Sequence, residues 1–339
     1  MNKARIRMVT FLIVSLLLMA AGCSQQPYST PVPSASPAND YLNIDPDRRP
    51  VPQKITLYYM HKASELLVPV TRTEYKGDTT MERFVMDELM KGPQGSESQA
   101  LTALFPEGTT VTDVAMTGTT ALVYFDSRIT GDLPLQSILG DAYSNQEPMV
   151  LEQKTRELML YSIVNTLTEL PGIANVKILI ENHFTTYEEL GLESLAEANG
   201  VEADTSMPSF ARNIDKILQP DDVVSLLMAE WNSTAQPKWQ KIYQFLYPTL
   251  SDGTTSLPGV EEMQRQWAGS IRSITVNPES IVTQEMRGDN TALVAVSYAI
   301  ERANGQIQTV NLEYLHMFSQ NGVWKLVLPP HWLDDDYGY

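Results

Sequence analysis

The alternation of apolar and polar positions changes at about residue 54, where a proline- and serine-rich stretch gives way to patterned sequence. Alternating runs predict strands, and one-sided apolar stripes predict helices that start after Thr79-Thr80 and near Val150. Gly92-Pro93 and Pro171-Gly172 end these helices. The predicted strands cover residues 55–60, 66–73, 111–116, 120–126 and 175–181. The order strand, helix, hairpin, helix, strand predicts a two-layer α/β sandwich, with both helices on one face of a small mixed sheet.

The second half of the patterned region places helices first and strands afterwards. Asp221-Asp222 begins one helix, and amphipathic stretches follow at 239–247 and 260–267. Asn304-Gly305 and Asn321-Gly322 are hairpin signals between later strands. The strand runs are 271–276, 280–286, 291–301, 307–319 and 323–328. This order predicts an α+β cone, so we expect an α+β protein with two domains.

The remaining segments have no such pattern. Residues 23–53 carry repeated prolines among small polar residues, which favours an extended tether. Residues 183–214 are polar and glutamate-rich, and we interpret them as a linker between domains at 54–182 and 215–333. Residues 334–339 are an acidic tail.

The single cysteine, Cys23, follows basic residues, an apolar run from Met8 to Met19 and the small residues Ala20-Ala21-Gly22. This order is typical of a secretory signal, and the apolar run is short for a membrane span. It resembles the bacterial lipobox, although that motif usually has leucine where Ala20 stands. The resemblance implies that residues 1–22 are a signal peptide and that Cys23 carries lipid, palmitate included. A buried cysteine or a cleaved signal without lipid is the alternative.

The chain is strongly acidic, with a formal net charge of −17 that becomes −20 without residues 1–22. This balance argues against binding to nucleic acid, whose phosphates require lysine and arginine. It also argues against electrostatic docking on anionic lipids. We therefore expect membrane attachment through the lipid on Cys23, on the outer face of the cell membrane.

Several stretches in the first patterned half resemble the GerMN domain of germination and sporulation lipoproteins. That domain is similar to a ring-building fold that serves protein–protein assembly, so the resemblance implies envelope or sporulation proteins as partners. The chain has one such domain where the namesake has two, which leaves ring assembly open. The matching stretches are Leu57-Tyr-Tyr, Leu67-Val-Pro-Val70, Leu89-Met-Lys-Gly-Pro93, Leu104-Phe-Pro-Glu-Gly-Thr109, Ala121-Leu-Val-Tyr-Phe-Asp126 and Val164-Asn-Thr-Leu-Thr-Glu-Leu-Pro-Gly172.

The second half resembles the nuclear transport factor 2-like superfamily through its helix-then-strand order and through Asn321-Gly-Val-Trp-Lys-Leu326. That superfamily contains both enzymes and binding pockets, so the likeness does not give a function.

Candidate chemical residues are few. The histidines His61, His183, His316 and His331 have no metal-ligand spacing. His316 shares a strand face with Leu312, Tyr314 and Phe318 and could be a ligand or base, although a wall or surface role is the simpler interpretation. His331 is interpreted as packing at a strand end. Arg72, Asp126 and Glu169 are isolated, with no obvious partner at catalytic spacing. We expect a turn or cap role for Asp126 and a solvated last-turn position for Glu169.

Three functions are compared. The first is a non-enzymatic, lipid-anchored envelope protein that binds protein partners in sporulation, germination or envelope assembly. The second is a lipid-anchored protein that binds a small molecule in a pocket of its C-terminal domain. The third, a hydrolase, lacks a recognisable catalytic set, and no cofactor or metal is expected. A large apolar pocket with polar groups would favour the second, whereas a filled cone and an exposed apolar patch would favour the first.

Overall fold

The computed structural model describes residues 51–139, 147–232, 238–288 and 290–332. The predicted signal peptide, Cys23, almost all of the tether and the acidic tail lie outside these ranges. Within them, no helix is both long enough and apolar enough to cross a membrane.

The structure mixes helices and strands and has a curled C-terminal sheet, so the α+β class is confirmed. In the first half the strands are β1 (Pro52–His61), β2 (Leu66–Tyr75), β3 (Leu101–Thr102), β4 (Val111–Thr117), β5 (Thr120–Phe125), β6 (Asn175–Ile180), β7 (His183–Phe184) and β8 (Phe210–Ala211). The helices are α1 (Met81–Met90), α2 (Glu97–Ala100), α3 (Leu135–Leu139), α4 (Pro148–Leu167) and α5 (Glu193–Ala198).

The strands of the first half form two sheets, whereas the sequence predicted one. One sheet has the order β2-β1-β3, and the other has the order β4-β5-β6 with β7 and β8 both beside β6. The reason lies at the free edge of β1. There the Tyr58 N–H donates to the Thr166 hydroxyl at 3.0 Å, and the Ser162 hydroxyl donates to the Tyr58 carbonyl at 2.6 Å. Helix α4 thus occupies the edge that another strand would need.

Helix α4 lies at the centre of the first half. Thirteen of its twenty residues are buried, including the predicted stripe of Leu158, Tyr161, Val164 and Leu167. It contacts β1 in one sheet, β6 in the other, and helix α1. A helix packed on several sides carries apolar residues all round. The single predicted stripe therefore captured only part of its buried surface.

The segment interpreted as a linker, 183–214, packs against the first half. Strands β7 and β8 pair with β6, and the buried ring of Phe210 makes edge contacts with Tyr161 and Tyr187. The predicted domain boundaries stay a prediction, but this segment is not a free connection.

The second half has helices α6 (Pro220–Trp231), α7 (Trp239–Gln244) and α8 (Val260–Ser270) before an antiparallel sheet. Its strand order is β10-β11-β12-β13, and β9 pairs with another part of β11. Each of the five predicted strand runs corresponds to one of these strands, with ends that differ by a few residues. They are β9 (Ile271–Val276), β10 (Val282–Arg287), β11 (Thr291–Arg302), β12 (Ile307–Gln320) and β13 (Val323–Leu326).

The two halves share one hydrophobic core. The Leu218 N–H donates to the Leu67 carbonyl of β2 at 2.8 Å, and the His61 ring lies 5.1 Å from the Phe245 ring between centroids. The described residues from 51 to 332 thus belong to one compact unit.

Candidate interaction surfaces

Glu169 follows the end of α4, and there it joins a polar cluster with Tyr58 and Arg212. The Tyr58 hydroxyl donates to the Glu169 carboxylate at 2.6 Å, and an Arg212 guanidinium nitrogen lies 2.5 Å from the same oxygen. The guanidinium also lies 5.3 Å from the centre of the Tyr58 ring. Burial, followed by the hydrogen bond to Glu169, raises the pKa of Tyr58 above its usual value. Glu169 is exposed, as expected, and it is also held by two partners.

Arg72 also has a partner. Its guanidinium pairs with Glu97 and donates to the Gly92 carbonyl at 2.9 Å, while it lies 5.3 Å from the Tyr59 ring centre. Burial alone would raise the pKa of Glu97, but hydrogen bonds from Arg72 and from the Gln94 backbone hold it below its usual value. Arg72 thus ties β2 to the loop that follows α1.

Asp126 organises a turn, as predicted. Its carboxylate accepts from the Thr110 N–H at 3.2 Å and from the Thr110 hydroxyl at 2.6 Å. Arg128 donates to it at 2.8 Å. These bonds lower the pKa of Asp126 despite the opposing effect of its partial burial. Arg72, Asp126 and Glu169 all have structural partners, which corrects the interpretation of them as isolated.

A cleft of about 760 Å³ lies where the second half meets the β1–β2 sheet. Its floor is the face of the sheet that carries Thr56 and Tyr58 on β1 with Pro69 and Thr71 on β2. The other walls come from the chain around Arg212 to Gln219, from α2 and from the second half. The lining on those walls includes Ser96, Glu97, Glu169, Arg212, Ile214, Gln219, Met286, Ser319, Asn321 and Trp324.

Aromatic rings fill the described interior of the cone. Trp231 and Trp267 stack with centroids 4.4 Å apart, and Trp332 meets Trp231 edge-on at 5.2 Å. Trp239 packs edge-on against Trp267 at 5.8 Å. Trp332 is fully buried, and its indole N–H donates to the Tyr298 hydroxyl at 2.8 Å. These four tryptophans therefore lie in the core.

A second polar cluster adjoins these rings, and most of it was not predicted from the sequence. The Tyr298 hydroxyl donates to Glu313 and lies 3.1 Å from the His331 Nε2, which is itself 3.6 Å from Glu313. Arg302 donates to the His331 carbonyl at 3.1 Å. The available signal was a tyrosine among apolar inward positions of β11, because a buried tyrosine hydroxyl usually has a partner. His331 is therefore hydrogen-bonded as well as packed.

The opposite side of this sheet carries exposed apolar residues. We call it the outer face and define it by Val282 of β10, Leu293 and Ala295 of β11, and Leu312, Tyr314 and His316 of β12. Val282, Leu312 and Tyr314 are 44, 56 and 52% exposed. Across the strands, Leu293 of β11 pairs with His316 of β12, and Ala295 of β11 pairs with Tyr314. The prediction that Leu312, Tyr314 and His316 share a face agrees with this register. No described residue near His316 gives it a catalytic partner, so we assign it to this surface.

Comparison with known families identifies the first half. Residues 56–186 match the family model described as "Germane: Sporulation and spore germination". The chain contains a Germane domain. The resemblance to GerMN proteins is thereby confirmed, and it associates the chain with sporulation or germination. The resemblance of the second half to the nuclear transport factor 2-like superfamily has no such support.

Solved structures with a Germane-type domain are also similar to this chain. The tandem GerMN domains of the sporulation protein GerM from Bacillus subtilis match with 20% identity and a TM-score of 0.30 over 48% of each chain. The first of those domains alone matches with 20% identity and a TM-score of 0.28, over 39% of this chain and 84% of the other. This chain thus spans about half the length of the tandem-domain structure.

A candidate lipoprotein from Clostridium perfringens matches with 16% identity and a TM-score of 0.27, over 48% of this chain and 90% of the other. TM-scores this low add no argument to the family match. No curated protein matches the sequence.

The Germane domain has a half-open sheet face of its own. Leu122 and Tyr124 of β5 lie beside Lys177 and Leu179 of β6, and Phe184 of β7 pairs with Leu179. The Lys177 ammonium lies 4.2 Å from the centre of the Phe184 ring, which is 58% exposed. On this side of the sheet Phe184 is exposed, Leu122, Tyr124 and Lys177 are half-buried, and Leu179 is buried.

Cys23, the predicted lipid site, lies outside the described residues. Among the residues that are described, no group of three histidine, cysteine, aspartate or glutamate side chains is arranged to hold a metal ion.

Proposed function

We propose that this protein is a lipid-anchored envelope protein that acts in sporulation or germination by binding protein partners, without a catalytic step of its own. The match to the Germane family supports a role in sporulation or germination. The signal-like N-terminus and Cys23 support an anchor on the outer face of the membrane.

The observation that carries the protein-binding part is the outer face of the C-terminal sheet. An antiparallel sheet with one solvated face normally alternates apolar and polar residues. Here the solvated positions of β12 hold Leu312 and Tyr314, each more than half exposed. Contiguous exposed apolar surface of this kind marks interaction sites, and tyrosine is among the residues enriched at the centres of interfaces.

The charges beside the outer face do not compete with such binding. Arg287 pairs with Glu285 at 2.9 Å, and Arg272 pairs with Glu301 at 3.0 Å. The outer face is therefore close to locally neutral among its described residues, although the whole chain is strongly acidic. A partner docking here would meet apolar side chains and not the net negative charge.

The small-molecule alternative needs space inside the cone. Trp231, Trp239, Trp267 and Trp332 pack against one another in its described interior. This packing favours the protein-binding function over a ligand pocket among those residues.

The test is crosslinking of the full chain in its native cells, followed by identification of the captured proteins. We expect Val282→Glu and Tyr314→Glu to lose at least about 90% of a partner that wild type captures, because each buries a charge against apolar surface. Val201→Glu is the matched control, since Val201 is 39% exposed and lies away from the outer face. It should retain the partner.

Two further measurements accompany the crosslinking. Thermal unfolding of each variant shows whether the fold is retained, and partner capture is compared only among folded variants. Cys23→Ser should release the protein from the membrane fraction if Cys23 carries lipid. Capture that is equal in Val282→Glu, Tyr314→Glu and wild type would contradict the outer face as the docking surface.

A further inference from the structure

The cleft above the β1–β2 sheet combines a suitable volume with many polar side chains. Its volume of about 760 Å³ falls in the range of roughly 300–1,000 Å³ that small-molecule sites occupy. Five hydroxyls line it, together with three side-chain amides. The hydroxyls are those of Thr56, Tyr58, Thr71, Ser96 and Ser319, and the amides are those of Gln219, Asn290 and Asn321.

Most of these groups are available to a ligand. Among the described residues, the side chains of Thr56, Thr71, Ser96, Ser319 and Asn321 make no hydrogen bond to protein. The Gln219 amide donates to the Ile217 carbonyl at 3.2 Å, and the Tyr58 hydroxyl donates to Glu169. The cleft thus offers hydroxyl and amide donors and acceptors that now face solvent.

The two most buried charged groups of the cleft are compensated by the protein. Arg212 is paired with Glu169 at 2.5 Å, and Glu97 is paired with Arg72. Lys54 lines the cleft at an exposed position of β1 and makes no ion pair among the described residues. A phosphate or other strong anion would meet this single cation and would have to displace Glu169 to reach Arg212, and an apolar lipid chain would face hydroxyls and amides. The lining therefore favours polar ligands without a strong net charge.

The floor of the cleft also excludes one common mode of peptide binding. It is the face of the sheet, and β1 and β2 pair with each other along their whole length, from Pro52 with Tyr75 to His61 with Leu66. A peptide that adds a strand needs a free edge, and at Tyr58 the outer edge of β1 is bonded to α4. Side-chain hydroxyls and amides remain as the recognition groups, and these suit hydroxyl-rich ligands.

We propose that this cleft binds a neutral saccharide chain. Sugar hydroxyls and acetamido groups would exchange hydrogen bonds with Thr56, Thr71 and Asn321. The apolar side chains of Met286 and Ile214, which are 49 and 63% exposed and line the same cleft, would contact the C–H faces of the sugar rings. The site is separate from the outer face and does not depend on the proposed partner binding.

The probe is the tetramer of N-acetylglucosamine, titrated into the full chain in detergent and followed by saturation-transfer NMR and calorimetry. We expect the Thr56→Val, Thr71→Val double variant to bind at least about tenfold more weakly, because it loses two hydrogen bonds to the ligand. Thr71→Trp, which fills the cleft, should abolish binding. Thr309→Val, an exposed strand threonine outside the cleft, should bind as wild type does.

The outcomes separate the alternatives. Absence of tetramer binding to wild type, or equal binding by wild type and Thr71→Trp, would overturn the proposal. A neutral pentapeptide of alanine, serine and asparagine is run in parallel. If the peptide binds in a manner that Thr71→Trp blocks and the tetramer does not bind, the cleft is a peptide site and the saccharide proposal is wrong.

Discussion

At the scale of single residues, the structure assigns roles that sequence spacing could not. Arg72 pairs with Glu97, and Glu169 pairs with Arg212. In each case the partner comes from a distant part of the sequence, so no local motif relates the two. The role of Asp126 could be predicted from its position at a strand end, and the structure adds its partner Thr110 from the other end of the same hairpin.

His61 is a buried histidine with cationic neighbours. Its side chain is almost fully buried beside Phe245, and its Nδ1 accepts from the Ser64 N–H at 3.3 Å. Burial, together with the charges of Lys325 and Lys241, lowers the pKa of His61 to about 4. Lys241 itself pairs with Glu230 at 2.7 Å. His61 is thus neutral in the folded protein at neutral pH.

This burial predicts a loss of stability in mild acid. The unfolded chain takes up a proton at His61 below its ordinary pKa of about 6.5, whereas the folded chain does so only near pH 4. The free energy of unfolding should therefore fall as the pH drops from about 6.5 towards 4. At pH 5 the titration of His61 should lower the free energy of unfolding by about 2 kcal/mol, because a shift of one pKa unit corresponds to about 1.4 kcal/mol.

The measurement is chemical denaturation of wild type and His61→Phe at pH 7 and pH 5. The loss between the two pH values should be about 2 kcal/mol smaller in His61→Phe. His183→Gln is the control, because His183 is exposed and bonded to Glu189, and it should behave as wild type does. An identical loss in wild type and His61→Phe would show that His61 does not titrate in this way.

At the scale of elements, the contact between α4 and β1 decides how the first half is built. The hydroxyls of Ser162 and Thr166 satisfy both backbone groups of Tyr58 at a strand edge. Buried backbone groups nearly always have partners. Here a helix supplies the hydrogen bonds to the backbone of a strand edge that a neighbouring strand supplies elsewhere in a sheet.

Removal of one hydroxyl from this contact should be costly. Thr166→Val keeps the shape of the side chain but leaves the buried Tyr58 N–H without an acceptor, which costs about 1–3 kcal/mol. Thr168→Val is the matched control, because the Thr168 hydroxyl donates only within its own helix end, to Val164 and Asn165. Chemical denaturation should show a change within about 0.5 kcal/mol for the control. Equal costs for both variants would mean that the contact does not stabilise the fold.

Much of the secondary structure could be predicted because its signals are local. Alternation located β9 to β13, and Thr80 was correctly predicted as a cap, since its hydroxyl accepts from the Arg83 N–H at 3.3 Å. The division of the first half into two sheets could not be predicted, because it depends on side chains of α4 that reach a strand far earlier in the sequence. The outer face was partly predictable, since alternation already placed Leu312 and Tyr314 together. The cleft was not, because its walls come from separate elements.

At the scale of the whole molecule, the two halves meet through backbone as well as side chains. The turn between β12 and β13 brings Gly322 against Pro69 of β2, and a Cβ on Gly322 would overlap the Pro69 carbonyl oxygen. Asn321 and Gly322 both have positive φ, at 53° and 79°, as a two-residue hairpin turn requires. The glycine thus serves the turn and the close approach of the two halves.

The turn conformation and the close approach to Pro69 can be tested separately, because Gly305 needs only the first and Gly322 needs both. Gly305 ends the turn between β11 and β12 with a φ of 85°, and its Cβ position is open. Gly305→Ala should therefore cost only the strain of the left-handed backbone, about 1–2 kcal/mol. Gly322→Ala should cost that amount and a further 1–3 kcal/mol or so from overlap with Pro69. Chemical denaturation of the full chain measures both values. Because the overlap acts where the halves meet, Gly322→Ala should also separate the unfolding of the two halves into distinct transitions, whereas Gly305→Ala should leave one. Equal costs and a single transition in both variants would show that this contact does not couple the halves.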